Sequence, residues 1–259
     1  MFPSKKIQEN YVLKISELML LYCFKEKKRK NFIDLINNDC DIYRKTDLYN
    51  VKKNKFLSNK KKIWNKITSK LKNLTKLEKD DFLKKSIKIL KPHFLKRIKN
   101  NTNLIEYNTY ARFGCFNYSI KNKKVDLHMP VFQFINHKKL KIKNYNYNQK
   151  FSMRTKDLSS LIDHVRKNHP TVKIIQMGSW LNEYKPFRTL FPKTWKPTNK
   201  IKRKNSIAWW GQFVDVTGNI NKKNAEFFIK NLKFPYRGEF YQCKISELKK
   251  FISPNFIKK

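Results

Sequence analysis

The stretch TKDLSSLIDHVRKNHPTVKIIQMGS, Thr155–Ser179, decides the fold. Leu158, Leu161, Ile162 and Val165 recur at three- and four-residue steps, the period of a single buried helical face. Thr155 suits the N-cap of that helix, and Asp157 suits the positive end of its dipole. His169-Pro170 stops it, because proline disfavours helical backbone at the residue before it. Thr171 to Met177 then reads as a short apolar strand. Upstream, Leu104 to Ile120 is rich in aromatic and β-branched residues. Lys121-Asn122-Lys123-Lys124 is a polar turn, and Val125 to Phe134 reads as a second strand. Strand, helix and strand in succession imply a mixed or parallel sheet covered by helices.

The pattern extends toward the C-terminus. Trp180, Leu181, Tyr184, Phe187, Leu190 and Phe191 predict one or two short helices around Pro186. Ile207 to Val216 reads as strand and Thr217-Gly218-Asn219 as a turn. Asn221 caps a helix carrying Ala225, Phe228, Ile229 and Leu232. Glu239 to Ile245 is a last strand, and Ser246 caps a terminal helix. Residues 136–151, basic and rich in Asn without apolar periodicity, read as a long loop.

The first hundred residues are helical in period. Leu13, Ile15, Leu18, Met19, Tyr22 and Cys23 give a broad apolar face, and Ile63, Trp64, Ile67, Leu71 and Leu74 give a stripe. Thr75 and Glu78 fit a capping box ahead of Phe82, Leu83, Ile87 and Leu90. Pro92 should end or kink that helix. The expectation is an α+β chain, with a helical subdomain over 1–100 followed by a mixed sheet flanked by helices over 101–259.

Charge is the most conspicuous property of the composition. The 259 residues hold 60 Lys+Arg against 19 Asp+Glu, a formal net charge of +41. Of the 60, 51 are Lys and 9 Arg, in a chain also crowded with Asn, Ile and Phe, so A/T-rich coding accounts for much of the excess. The excess is also spread out, net +18 over residues 1–100 and +23 over the rest, whereas a dedicated nucleic-acid arm would concentrate it. Weak non-specific attraction to nucleic acid follows from the charge alone and would fade with salt. No apolar run reaches the roughly 18–20 residues of a membrane span. The opening Met-Phe-Pro-Ser-Lys-Lys lacks a signal-peptide core. Cys23, Cys40, Cys115 and Cys243 stand far apart, which suits a reducing, cytoplasmic setting better than a disulfide framework. The five His never fall at the i, i+4 spacing of helical metal ligands, so no metal is expected.

The densest cluster of unusual residues is Gly178-Ser179-Trp180-Leu181-Asn182, then Leu190-Phe191-Pro192, then Trp209-Trp210-Gly211-Gln212-Phe213. On a strand, Trp209 and Trp210 would point to opposite faces, one to the core and one to a pocket. Ser179 reads first as a helix cap. Asn182 and Gln212 are the polar groups expected to face a pocket. His128 suits general-base work, since its reference pKa of about 6.5 allows proton transfer near neutrality. Asp126, two residues away, shares its strand face and would orient it.

These segments, with Phe234-Pro235-Tyr236, resemble a family of uncharacterised bacterial proteins carrying G-S-W-L-N, L-F-P and W-W-G-Q-F. More distantly, Leu127-His128-Met129-Pro130, the following helix, Ser179-Trp180-Leu181 and Leu190-Phe191-Pro192 resemble the C-terminal domain of GNAT-type N-acyltransferases over roughly residues 105–245. The resemblance implies a GNAT-like sheet whose strands splay beside His128, with acyl-CoA as co-substrate for an acceptor small molecule. It places Ser179, Trp180, Asn182, Trp209, Trp210 and Gln212 at the substrate. In GNAT enzymes a Gly-containing loop opening a helix holds the coenzyme pyrophosphate. Here Asn136 to Arg154 has no Gly and offers Lys138, Lys139 and Arg154 instead. The competing reading is a non-catalytic basic module that binds nucleic acid or another polyanion.

Overall fold

The computed structural model describes residues 5–50, 53–100, 111–129, 145–198, 207–215 and 219–253. In chain order the elements are α1 (Lys5–Glu26), α2 (Phe32–Asp34), β1 (Tyr49–Asn50), β2 (Lys55–Phe56), α3 (Lys60–Leu74) and α4 (Lys79–Lys99). They continue with β3 (Ala111–Phe113), β4 (Phe116–Lys121), β5 (Lys124–His128), α5 (Tyr147–Asn168), β6 (Ile174–Ser179), α6 (Lys185–Arg188) and β7 (Lys196–Pro197). The last three are α7 (Lys222–Asn231), β8 (Glu239–Lys244) and α8 (Ile245–Ile252). The described residues fall into two compact units, 111–198 with 236–253, and 5–100 with 207–235. Both helices and a mixed sheet are present, so the chain is α+β.

In the helical unit, α1 buries Ile15, Leu18, Met19 and Cys23 of its expected face, while Leu13 and Tyr22 are only partly buried and Val12 and Leu20, outside that face, are fully buried. Each fully buried side chain contributes roughly 1.5–3 kcal/mol relative to exposure. Helix α4 runs unbroken through Pro92, where an end or kink is expected. The proline removes one amide from the ladder, but Leu90, Phe94 and Ile98 on either side are buried and hold the backbone helical. The Thr75–Glu78 capping box does not form. Thr75 ends α3 instead, its hydroxyl donating to the Lys72 carbonyl, and Glu78 sits at the α4 N-cap with no side-chain cap.

Segment 207–235 belongs with these helices, not with the second half of the chain as expected. The predicted strand over Ile207–Val216 is a 3₁₀ helix from Ile207 to Phe213. Tertiary packing overrides the β-prone composition there. Trp210 is 3% exposed and lies against Tyr22, Phe213, Phe228 and Phe234, and its indole N–H donates to the Asp39 carbonyl. Asn221 caps α7 as predicted, its side chain accepting from the Asn224 amide.

The other unit carries a six-stranded sheet in the order β3-β4-β5-β6-β8-β7. The β5–β6 pair is parallel and every other pair is antiparallel. Leu104–Ile120, expected as one strand, is folded within its described part into the β3–β4 hairpin, because Gly114 takes φ +54 at a tight turn. A Cβ on Gly114 would lie 2.0 Å from the Asp157 carboxylate, which accepts from the Cys115 amide at 2.9 Å. Asn122 and Lys123, both at positive φ, make the expected turn between β4 and β5.

Helix α5 starts at Tyr147, eight residues before the predicted cap, so the end of the expected 136–151 loop is helical. Asn146 and Gln149 form a reciprocal capping box there. Thr155 is interior, donating to the Phe151 carbonyl. Leu158, Leu161, Ile162 and Val165 are fully buried in one cluster with Val125, Leu127, Ile175, Met177, Tyr241, Cys243 and Leu248. Ser246 likewise falls inside α8 rather than at its cap, which is Lys244.

Candidate functional site

Alternation along β5 fixes the site. Val125 and Leu127 are buried in the core, so Lys124, Asp126 and His128 share the other face. On β4, Ser119 lies directly across from Asp126 and Asn117 across from His128. On β6, Gln176 lies across from Asp126. The same-face residues are polar, and they bond to one another. Ser119 Oγ lies 3.1 Å from His128 Nε2, the Gln176 amide donates to Asp126 Oδ1 at 2.5 Å, and Lys124 Nζ donates to Gln242 at 2.9 Å.

The parallel pairing ends inside this network. It covers Lys124 with Ile174, Val125 with Ile175 and Asp126 with Gln176, and goes no further. Strand β5 nevertheless continues to His128, and β6 continues to Ser179, paired throughout with β8. The β5–β6 ladder thus ends at Asp126 and Gln176, and His128 lies two residues beyond its last pair. Ligands of open α/β sheets sit outside the carboxyl ends of parallel strands where neighbours diverge.

Burial pushes the His128 pKa below its ordinary value, and the nearby Asp126 charge opposes this with a smaller upward pull. The net shift favours the neutral, proton-accepting form of the ring. Asp126 shares its face as anticipated, but its carboxylate bonds to Gln176, while the bond to the imidazole comes from Ser119. Sequence reasoning passed over Ser119 and Gln176. Ser119 lies nine residues before His128 across the β4–β5 hairpin and Gln176 fifty residues after Asp126, and strand register brings both in.

The remaining predicted positions have other occupations. Ser179 is 7% exposed and its hydroxyl accepts from the Leu181 amide, the cap role foreseen for it. Asn182 is fully buried rather than facing a pocket. Its amide donates to the Met177 and Glu239 carbonyls, and its oxygen accepts from the Trp195 indole. Trp180 is half-buried and stacks on Tyr236 at 5.5 Å, with Tyr184 6.2 Å away. Trp210 and Gln212 are 3% and 1% exposed in the helical unit, so both lie within its core. Trp209 lies on the same 3₁₀ helix, and its side chain is outside the described residues.

Arg154 sits on α5 near Cys115, whose thiol burial and the Asp157 charge push well above its ordinary pKa with only a partial offset from Arg154, and the Arg154 Nε is enclosed without a hydrogen-bond partner. Lys138 and Lys139 lie outside the described residues. The described start of α5 is self-capped through Asn146 and Gln149, so its first turn presents no cradle of free amides to a phosphate. Among the described residues, no three His, Cys, Asp or Glu side chains gather as a metal site would require. No described helix is long and apolar enough to cross a membrane.

Set against known proteins, the chain matches no family model, no curated protein and no solved structure.

Proposed function

We propose that the sheet unit transfers an acyl group from a thioester, of the acyl-coenzyme A class, to an amine or hydroxyl where the β5–β6 ladder ends. The observation that carries this reading is the end of the β5–β6 ladder at Asp126 and Gln176, with the His128 imidazole, its pKa lowered by burial, two residues further on. His128 accepts the proton from the attacking N–H or O–H. The new C–N or C–O bond forms at the thioester carbonyl, the C–S bond breaks, and the departing sulfur takes a proton.

Ser119 orients the ring through Nε2, and Gln176 and Asp126 hold the adjoining backbone and charge in place. Order of elements adds support. Strand, crossover helix, strand and short helix follow one another in the order of the segments that carry the GNAT resemblance.

The test is mass-spectrometric detection of acylated product from acetyl-CoA and a panel of primary amines, with His128→Asn alongside. Loss of a positioned base lowers the rate by 10²–10⁴-fold. Turnover in the wild type with at least a hundredfold loss in the variant is expected. Equal rates in the two proteins, or no product with any acceptor, would overturn the reading.

A further inference from the structure

A second candidate site lies at the other end of the same sheet. A cleft of about 760 Å³ opens where the end of α5, the start of β6, the end of β8 and the start of α8 meet. Lys124, which pairs with Ile174 at the cleft, and His128 stand about 13 Å apart along β5 by strand rise. The cleft is therefore distinct from the site beside His128.

Its lining is unusual even for this chain. Five of its ten residues are basic (Arg166, Lys173, Lys244, Lys249 and Lys250) and none is acidic. The chain as a whole has 60 basic residues in 259, so the cleft holds about twice the average density. With 19 acidic residues in 259, fewer than one acid is expected among ten residues, so the distinguishing feature of the cleft is its density of cations. Asp163, just outside, pairs with Lys249 at 2.5 Å and neutralises one cation, leaving four. Lys173 is held in place by its bond to the Pro170 carbonyl at 2.9 Å. Lys244 also occupies the N-cap of α8, whose first amide, Ile245 N–H, donates to the Lys173 carbonyl and whose first turn carries Glu247. An anion in the cleft relieves the mutual repulsion of the clustered cations.

The floor has a different character. Val172 and Ile245 are 8% and 4% exposed, and Ile174 and Pro170 adjoin them, so apolar surface lies within reach of the cations. The volume lies in the range of small-molecule sites, roughly 300–1,000 Å³. A nucleic-acid backbone would need a groove running on past the cleft, whereas a small ligand uses both rim and floor. We infer that this cleft binds an organic di- or triphosphate, its phosphates among Arg166, Lys173, Lys244 and Lys250 and its uncharged part on Val172, Ile174 and Ile245. A charge of −3 to −4 matches the four uncompensated cations. The site is independent of acyl transfer.

The test uses the wild-type chain. Surface lysines are acetylated with a mild amine reagent at constant ionic strength in the presence of ATP, inorganic tripolyphosphate or sodium chloride, and each site is quantified by peptide mass spectrometry. Protection of Lys173, Lys244 and Lys250 at ligand concentrations that leave Lys61 and Lys62 reactive is expected, with ATP acting at lower concentration than tripolyphosphate. In parallel, Lys173→Glu/Lys244→Glu should weaken ATP binding at least tenfold by calorimetry. Lys61→Glu/Lys62→Glu, an equal charge change on exposed α3 positions, should alter it less than threefold. Uniform protection along the chain, or equal losses in both double variants, would reduce the effect to bulk charge and overturn the site. No protection at all would overturn it too. ATP acting no better than tripolyphosphate would remove the organic part of the assignment.

Discussion

Ser119 and His128 stand on adjacent antiparallel strands with Oγ and Nε2 3.1 Å apart, on a diagonal two residues off direct register. Asp126, directly across from Ser119, turns instead to Gln176 on the parallel neighbour. Two side chains two residues apart on β5 are thus anchored to strands on opposite sides, and the parallel side lets go immediately afterwards.

This arrangement sets a pH dependence. The folded pKa of His128 lies below its unfolded value of about 6.5. Below that pH the unfolded chain takes up the proton first, so His128 makes the folded state lose stability as pH falls through 6.5 toward the folded pKa, and contributes nothing to the slope above it. An NMR titration of the His128 ring should give a midpoint under 6.5, and His128→Gln should flatten that part of the stability profile. A midpoint at or above 6.5 contradicts the account.

Gly178 is set by a cross-strand neighbour. It lies opposite Phe240, and a Cβ added to it would come within 2.5 Å of the ring. Gly178→Ala should cost about 1–3 kcal/mol, the usual range for overpacking. Adding Phe240→Leu should recover part of that loss, and urea midpoints of the two singles and the double would show the coupling. Strict additivity would mean that the ring is not what excludes the methyl.

Asn182 joins three elements. Its side chain satisfies the Met177 carbonyl on β6, the Glu239 carbonyl on β8 and the Trp195 indole, all at a fully buried position. Asn182→Ala strands three polar groups and should destabilise by about 2–4 kcal/mol. Asn182→Asp retains an acceptor for the indole but loses both donors, so it too should unfold at lower urea. A neutral Asn182→Ala would show that water replaces the amide.

How much of this was legible follows from which signals are local. Helical faces such as Leu158–Val165, the Asn122 turn and the strand–helix–strand order announce themselves within a few residues, and the shared face of Asp126 and His128 follows from the two-residue strand period. The start of α5 carried a local sign in Asn146 and Gln149, obscured by the absence of apolar periodicity around it. Trp209-Trp210 misled because its β-prone composition describes a strand equally well. The indole of Trp210 finds its hydrogen bond at Asp39, 171 residues away, which no window reveals. Ser119 and Gln176 depended on strand register, and the basic cleft on the meeting of four element ends.

Lys45 yields the last prediction. It is partly buried on a 3₁₀ turn, and burial pushes its pKa down from 10.5 to about 8. Asp41 and Cys40 pull it back up, while the Arg97 and Arg44 guanidiniums add to the depression. Arg97 is fixed there, donating to the Arg44 and Thr46 carbonyls. Between pH 8 and 10.5 the unfolded chain holds the Lys45 proton that the folded chain has released, so this residue makes stability rise across that window. Below pH 8 it imposes a constant penalty, the cost of keeping an ammonium poorly solvated. Lys45→Met removes the charge and keeps most of the stem, so it should be more stable than the wild type near pH 7. The difference should shrink as pH approaches 10. Urea midpoints for the pair at both pH values isolate this residue from the many other titrating lysines. A difference that stays constant with pH would show that the ammonium is as well solvated folded as unfolded.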